Sequence, residues 1–178
     1  RTFFSLALLL AVATLTAQTK MTAREAAVKI ADRILASTTY EFKNTKTGEI
    51  YKSVKKLPLD MDVKVACKYN NWHYTNGVTN MALMELGDKL GDKKYEKYVL
   101  KNMNFVFNEG NLDFFRKQYD EAFKRDGWNA VRKLSWHMIF RGKRLDDNGP
   151  MGASLIELQL KYPNDSFLGY INETAEHL

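Results

Sequence analysis

The sequence predicts an all-α protein built from helical hairpins. Its 178 residues include only 10 glycines and 3 prolines, a composition that favours long regular elements over loops. From residue 77 onward, apolar residues recur at three- and four-residue spacing in one stretch after another, as in amphipathic helices. The connections between these stretches are short, so we expect consecutive helices to pack as antiparallel neighbours.

Composition and charge exclude several classes of protein. A hydrophobic share of 45% with 12% aromatic residues excludes an intrinsically disordered chain. The one cysteine, Cys67, cannot form an intramolecular disulfide, and the 3 histidines lack the His-x-x-x-His spacing of a catalytic zinc site. We therefore expect neither a metal nor another cofactor. The net charge of +6 comes without a basic run interleaved with aromatic residues, so no nucleic-acid partner is predicted.

The first residues have the pattern of a secretory signal peptide. Arg1 is basic, residues 3–13 are almost entirely apolar, and Ala17 is a small residue before the polar Gln18. The apolar stretch is shorter than the roughly 20 residues that span a bilayer, which makes a permanent anchor the weaker interpretation. A buried N-terminal helix is the structural alternative. We expect residues 1–17 to be a signal peptide that exports the protein to the periplasm, the cell surface or the extracellular space, with no membrane span after its removal.

The next residues predict one helix and one irregular segment. Residues 21–37 open with a capping box, in which the side chains of Thr22 and Glu25 each bond the other residue's amide. The apolar stripe of this helix comprises Ala23, Ala26, Ala27, Ile30, Ala31, Ile34 and Leu35. Residues 38–69 mix β-branched, aromatic and lysine residues around a glycine and a proline, so we expect an irregular segment that can include a short hairpin.

Apolar stripes predict four further helices before residue 141. The first contains Val78, Ala82, Leu83, Leu86 and Leu90, and Gly91 is expected to end it as a left-handed cap. The second spans Tyr95 to Val106, and the third Leu112 to Ala122 with a break at Asp126-Gly127. Residues 128–140 are expected to form the fourth.

The remaining residues predict a polar turn and two more helices. The turn covers residues 141–149, the helix at residues 151–160 ends before Pro163, and a last stripe spans residues 167–178 with Asp165 or Ser166 as its cap. That last stripe reaches the final residue without a Gly, Asn or Pro exit, and the sequence does not begin with Met. We therefore expect an N-terminal portion of a longer protein.

Residues 70–77, with three rings and three amides directly before a helix, are the first candidate site. Aromatic rings beside amides are a common way to hold a sugar, because the C–H face of the sugar is apolar and its rim carries hydroxyls. Trp72 and Tyr74 are therefore candidate substrate-binding residues. In the structural alternative, Thr75 or Asn76 caps the helix and the rings only pack against it.

Residues 140–152 are the second candidate site. Three cations at residues 141–144 precede the adjacent carboxylates Asp146 and Asp147. Neighbouring carboxylates raise one another's pKa, whereas cations and a helix N-terminus lower it, and such opposed effects can tune a carboxyl group for proton transfer. In the structural alternative, Asp147 or Asn148 caps the following helix and Arg144 pairs with Asp146 at the surface.

Three motifs follow one another in order along the chain. They are Trp72-His73-Tyr74-x-x-Gly77, Gly91-Asp92-Lys93-Lys94-Tyr95-x-x-Tyr98, and Arg144-Leu145-Asp146-Asp147 before a helix. In this order they resemble the unsaturated rhamnogalacturonyl hydrolases, relatives of the unsaturated glucuronyl hydrolases, and the resemblance covers about residues 21–178. It implies that residues 18–178 are the N-terminal part of an (α/α)6 barrel, a six-hairpin toroid with its site at the mouth.

The resemblance also implies an activity and roles for two residues. These enzymes release 4,5-unsaturated uronyl sugars from pectin-derived acidic oligosaccharides by hydrating the vinyl ether, so the displacement chemistry of ordinary glycosidases does not apply. Tyr74 matches a substrate-contacting tyrosine and Asp146 matches the first of two important aspartates, which makes Asp146 the catalytic candidate. Asp147 is an additional carboxylate expected to bind substrate beside it, together with Trp72. The family's second aspartate has no counterpart here, so the isolated chain is expected to be inactive.

Two other functions remain open from the sequence. One is a different carbohydrate enzyme on the same toroid, a polysaccharide lyase or an epimerase, which would use His or Tyr bases in the mouth. The other is a non-catalytic helical-repeat binding module, which would show a recurring period of about 34–47 residues. The sequence contains no such self-similarity.

Overall fold

The computed structural model describes residues 21–142 and 145–176 of the chain, without the side chains of Leu145 and Asp147. The predicted signal peptide at residues 1–17 therefore lies outside the described residues. No helix within the described ranges is long and apolar enough to cross a membrane.

The described residues are mainly helical, which confirms the all-α fold class. The α-helices are α1 (Ala23–Ser37), α2 (Tyr74–Leu90), α3 (Lys94–Val106), α4 (Glu109–Val131), α5 (His137–Arg141), α6 (Leu145–Lys161) and α7 (Asp165–Ala175). Between α1 and α2 lie the short strands β1 (Phe42–Asn44), β2 (Ile50–Tyr51) and β3 (Val63–Val65), and one 3-10 turn (Lys68–Asn70).

The first helix begins where its capping box predicts. The Thr22 hydroxyl accepts from the amide of Glu25 at 3.2 Å, and the Glu25 carboxylate accepts from the amide of Thr22 at 2.8 Å. Only part of the apolar stripe of α1 is buried. Ala31 is the one buried residue of this helix, and Ile30 is 63% exposed. Between α1 and α2 the structure leaves an apolar groove open to solvent.

The irregular segment contains the short hairpin that the sequence allowed and a third strand that it did not predict. The strands pair antiparallel in the order β2-β1-β3, with Phe42 opposite Tyr51 on one side and Val65 on the other. Phe42 is fully buried, and its ring stacks on Phe105 of α3 with centroids 5.1 Å apart. This sheet is thus attached to the helical core through its central strand.

Helices α2 and α6 pack side by side and run parallel. The backbone of Gly77 lies directly against Pro150 and Met151, and the carboxylate of Asp88 pairs with Lys161 at 3.1 Å. The chain advances by the same 11 residues from Gly77 to Asp88 and from Pro150 to Lys161. Two contacts in the same register and the same direction place the N-terminal ends of both helices at one end of the fold.

The next helix after each of these two returns in the opposite direction. Gly91, with φ 66°, ends α2 in the left-handed conformation that the sequence predicted for it. The start of α3 then lies beside the end of α2, while Phe107, just after α3, contacts Trp72, just before α2. Helix α7 also returns across α6, where Tyr170 contacts Asn148.

An ionic cluster joins α3 to the C-terminal end of α6. The buried carboxylate of Glu96 accepts from Lys161 at 2.7 Å and from the Tyr162 hydroxyl. These hydrogen bonds, that of Lys161 first, lower the pKa of Glu96 from 4.5 to about 2. The cluster lies at the end of α6 opposite to Asp146.

The break predicted at Asp126-Gly127 is confirmed, but the single helix predicted at residues 128–140 is wrong. Gly127 has φ 51° and ψ −137°, outside helical geometry. Helix α4 ends at Val131, and α5 begins only after Trp136, whose backbone has φ 56°. The indole of Trp136 is buried and donates to the carbonyl of Asn70 at 2.7 Å. This distant anchoring holds a bulky residue in a backbone conformation that periodicity does not predict.

The polar turn predicted at residues 141–149 is wrong at Arg141, which belongs to α5, and again from residue 145 onward. Helix α6 begins at Leu145 and continues through Pro150. A proline in the second turn removes a helical hydrogen bond, and close packing on α2 offsets that loss. Asp147 and Asn148 are therefore inside the helix and do not cap it. For α7 the cap is Asn164, whose side chain accepts from the amide of Ser166 at 2.9 Å, and not Asp165 or Ser166.

Candidate functional site

The N-terminal end of α2 is built by the polar residues that precede it, here called the α2 entrance (residues 70–77). His73 caps the helix, with Nδ1 accepting from the amide of Thr75 at 3.4 Å and lying 2.9 Å from its hydroxyl. The sequence-based expectation that Thr75 or Asn76 is the cap is wrong. Asn76 instead donates to the carbonyls of Lys68 and Asn71 at 2.8 and 2.7 Å, which holds the preceding turn against the helix.

Tyr74 is the first residue of α2, and its ring is exposed. The side chain is 47% exposed and lies on the His73 ring, with centroids 4.6 Å apart and planes inclined by 37°. A partly stacked pair of rings at the surface offers both an apolar face and polar edges. The position of Tyr74 is therefore compatible with the predicted substrate contact.

Trp72 does not offer a ring to the solvent. It is 2% exposed and meets the rings of Phe107 and Tyr170 edge-on, with centroids 5.7 and 5.1 Å apart. The prediction that Trp72 binds substrate is wrong in this structure, because Phe107, just after α3, and Tyr170 of α7 cover its ring. Its role is to anchor the α2 entrance in the core.

The predicted carboxylates lie in the first turn of α6. Asp146 is exposed, and the backbone of Asp147 belongs to the same helical turn. A helix N-terminus stabilises a negative charge through its unpaired amides and its dipole. The predicted substrate-binding role of Asp147 remains a prediction, because its side chain is outside the described part of the chain.

The parallel packing of α2 and α6 brings the two candidate segments to the same end of the fold. Tyr74 precedes the Gly77 contact by three residues, and Asp146 precedes the Pro150 contact by four. Both residues thus lie about one helical turn before the point where the two backbones meet. Segments about 70 residues apart in sequence therefore meet as neighbours, which the sequence could suggest only through the family resemblance.

Asn148 joins the two segments. Its side chain is 2% exposed, and its Oδ1 accepts from the indole of Trp72 at 2.8 Å and from the Tyr170 hydroxyl at 3.2 Å. Burial raises the pKa of Tyr170 to about 12, so its phenol stays protonated and can donate. Sequence reasoning missed this residue, which it considered only as a helix cap. No sequence signal marked it, because residues 141–149 were predicted to form a polar turn.

A group of aromatic and basic residues joins α5 to α4. The guanidinium of Arg141 lies over the Trp128 ring at 3.9 Å, and that of Arg116 lies over Phe140 at 4.9 Å. Each contact is of cation–π type, in which an arginine keeps its positive charge while covering an apolar ring. The sequence analysis noted the cations at residues 141–144 but did not predict their contacts with these rings.

Comparison with models of known protein families finds no match for this chain, and comparison with curated proteins finds none either. The resemblance to the unsaturated rhamnogalacturonyl hydrolases is thus carried by the three sequence motifs alone.

Proposed function

We propose that this chain is the N-terminal part of an exported (α/α)6-barrel glycoside hydrolase of the unsaturated rhamnogalacturonyl hydrolase family. It would release 4,5-unsaturated uronyl sugars from pectin-derived acidic oligosaccharides. The observation that supports this most directly is the placement of exposed Tyr74 and exposed Asp146 at the N-terminal ends of two parallel helices in contact. A toroid requires parallel inner helices of this kind, with the site formed where they begin.

The chemistry proposed is hydration of a vinyl ether. An acid protonates the C4=C5 double bond, water adds at C5, and the resulting hemiketal opens to release the neighbouring sugar. Asp146 would take part in this proton transfer together with the family's second aspartate, and Tyr74 would contact the sugar. The net charge of +6 favours approach of an acidic oligosaccharide.

Replacing Asp146 by asparagine tests the proposal. In the full-length protein, Asp146→Asn should lose most of its turnover, followed as the decline of ultraviolet absorbance when the double bond is consumed. Because Asp146 is exposed, circular dichroism and the melting temperature should stay close to those of the wild type. A variant that consumes the double bond at near-native rate would refute the assignment.

Asp165 provides the matched control. It also lies in the first turn of a helix, but α7 does not begin at the end of the fold that carries Tyr74. Asp165→Asn changes the same functional group in the same type of position and should leave turnover unchanged. Equal losses in both variants would indicate a general effect on the helices and would contradict a catalytic role for Asp146.

The contact between His73 and Tyr74 favours a second candidate function, that of a polysaccharide lyase. A polysaccharide lyase abstracts a proton with a His or Tyr base, and both residue types lie together at the α2 entrance. A lyase creates the unsaturated bond and raises ultraviolet absorbance, whereas the proposed hydrolase removes it. The sign of the absorbance change on intact and on lyase-treated polymer therefore separates the two functions.

A further inference from the structure

Asn148 uses its whole side chain for contacts outside its own helix. Its Oδ1 accepts from Trp72, 76 residues earlier, and from Tyr170, 22 residues later. Its Nδ2 points to the carbonyls of Gly142 at 3.3 Å and Met138 at 3.5 Å. The residue thus connects the α2 entrance, α7 and the end of α5 to the second turn of α6.

The chemistry of the partners requires this orientation of the amide. An indole N–H can only donate, so the atom facing Trp72 must be the oxygen. Backbone carbonyls can only accept, so the opposite atom must be the nitrogen that faces Gly142 and Met138. The Tyr170 hydroxyl can donate or accept and is satisfied in this orientation, whereas a flipped amide would place a donor against the Trp72 N–H and an acceptor against both carbonyls.

A buried amide at this position needs an explanation, since an apolar residue would avoid the desolvation of polar atoms. It does not cap α6, because the helix begins three residues earlier. Its contacts instead lie on both sides of the candidate site, with Trp72 two residues before Tyr74 and Asn148 two residues after Asp146.

We propose that Asn148 is a positioning residue that holds the first turn of α6 in one place relative to the α2 entrance, and so sets the position of Asp146 relative to Tyr74. The catalytic part of this inference rests on the proposed hydrolase function. The structural part of the inference does not depend on it: the hydrogen bond from the Trp72 indole to Asn148 links the α2 entrance to α6.

Hydrogen exchange of the Trp72 indole N–H, followed by NMR on the full-length protein, tests the tie itself. In the wild type this proton should be protected because it is buried and bonded. In Asn148→Ala its exchange should accelerate on the order of a hundredfold through local opening. Unchanged protection would overturn the inference, whatever the protein's activity.

Ser154→Ala is the matched control. Ser154 is another fully buried polar residue of α6, but its hydroxyl donates to the carbonyl of Met151 in its own helix, at 2.8 Å. This variant also removes a buried hydrogen bond, yet it should leave the exchange of the Trp72 indole unchanged. If exchange of the Trp72 indole accelerated equally in both variants, the cause would be a global loss of stability, and the proposed specific link through Asn148 would be overturned.

Kinetics on the unsaturated oligosaccharide test positioning. Asn148→Ala should lower kcat on the order of tenfold to a hundredfold, because a displacement of about 1 Å in a catalytic group can cost that much, while KM changes far less. Trp72→Phe keeps a ring in the core but removes the indole donor, and it should lower kcat similarly. The double variant should be no slower than the slower single variant, because both remove the same hydrogen bond.

The outcomes separate the two proposals. Additive losses in the double variant, or a native kcat in Asn148→Ala, would overturn the positioning role. If the wild-type protein does not consume the double bond, the hydrolase function fails, and the exchange experiment still decides whether Asn148 ties the two segments. Should Asn148→Ala not fold, Trp72→Phe alone carries the kinetic test, and a native kcat in it would overturn the role.

Discussion

Gly77 is the residue at which the packing of α2 on α6 can be tested most sharply. A Cβ at this position would lie 2.5 Å from the amide nitrogen of Met151 and 2.6 Å from the carbonyl oxygen of Pro150. Real Cβ atoms essentially never approach within 3.0 Å of such atoms. Because both neighbours are backbone, no side-chain rotation relieves the clash, and the two helices must separate.

The magnitude follows from two opposed effects. Overpacking of this kind costs about 3 kcal/mol at the upper end of its usual range. Alanine is better than glycine inside a helix by about 1 kcal/mol, which offsets part of that cost. Gly77→Ala should therefore reduce the free energy of unfolding by about 2 kcal/mol, a fall in melting temperature of roughly 4–8 °C for a chain of this size.

Thermal unfolding followed by circular dichroism provides the assay, with Gly152→Ala as the control. Gly152 lies inside α6, and an added Cβ there meets nothing within 4 Å. This variant should gain about 0.5–1 kcal/mol from reduced entropy of the unfolded chain. If Gly77→Ala raised the melting temperature as Gly152→Ala should, the close parallel contact of α2 and α6 would be refuted.

Two further predictions concern the ionic cluster and the exposed ring. The pKa of Glu96 is lowered to about 2 in the folded protein, so its stabilising effect is complete above its unfolded value of 4.5 and is lost as the pH falls from there toward 2. Glu96→Gln should reduce the free energy of unfolding by about 2 kcal/mol near neutral pH. Its melting temperature should also fall less steeply than that of the wild type between pH 5 and pH 2. An acid-induced fall as steep as in the wild type would contradict this. Tyr74→Phe should leave the melting temperature almost unchanged because the ring is exposed. It should lower turnover of the unsaturated oligosaccharide. Full activity in this variant would contradict the proposed contact between the Tyr74 hydroxyl and the substrate.

Local patterns predicted most of the helices correctly. The capping box of Thr22 and Glu25 and the left-handed cap at Gly91 depend on residues a few positions apart, so neighbouring side chains and glycine's conformational freedom are sufficient to specify them. The buried stripe of α3, from Tyr95 to Val106, also follows directly from its 3.6-residue period.

Predictions failed where distant contacts override local preference. Asn148, Gly149 and Pro150 have the residue types of a turn, yet they lie inside α6, because that helix packs on α2 and Asn148 bonds Trp72 from 76 positions away. The left-handed backbone of Trp136 likewise depends on a hydrogen bond to the carbonyl of Asn70.

For the candidate site, residue types and their order along the chain were sufficient to select the segments around Tyr74 and Asp146. They could not show that these segments lie at the same end of two parallel helices, because that depends on the close approach of Gly77 to Pro150. They also could not distinguish exposed Tyr74 from buried Trp72, two aromatic residues only two positions apart. Whether an aromatic ring is exposed or buried is decided by the residues that cover it, here Phe107 after α3 and Tyr170 of α7, and burial of that kind is a property of tertiary packing.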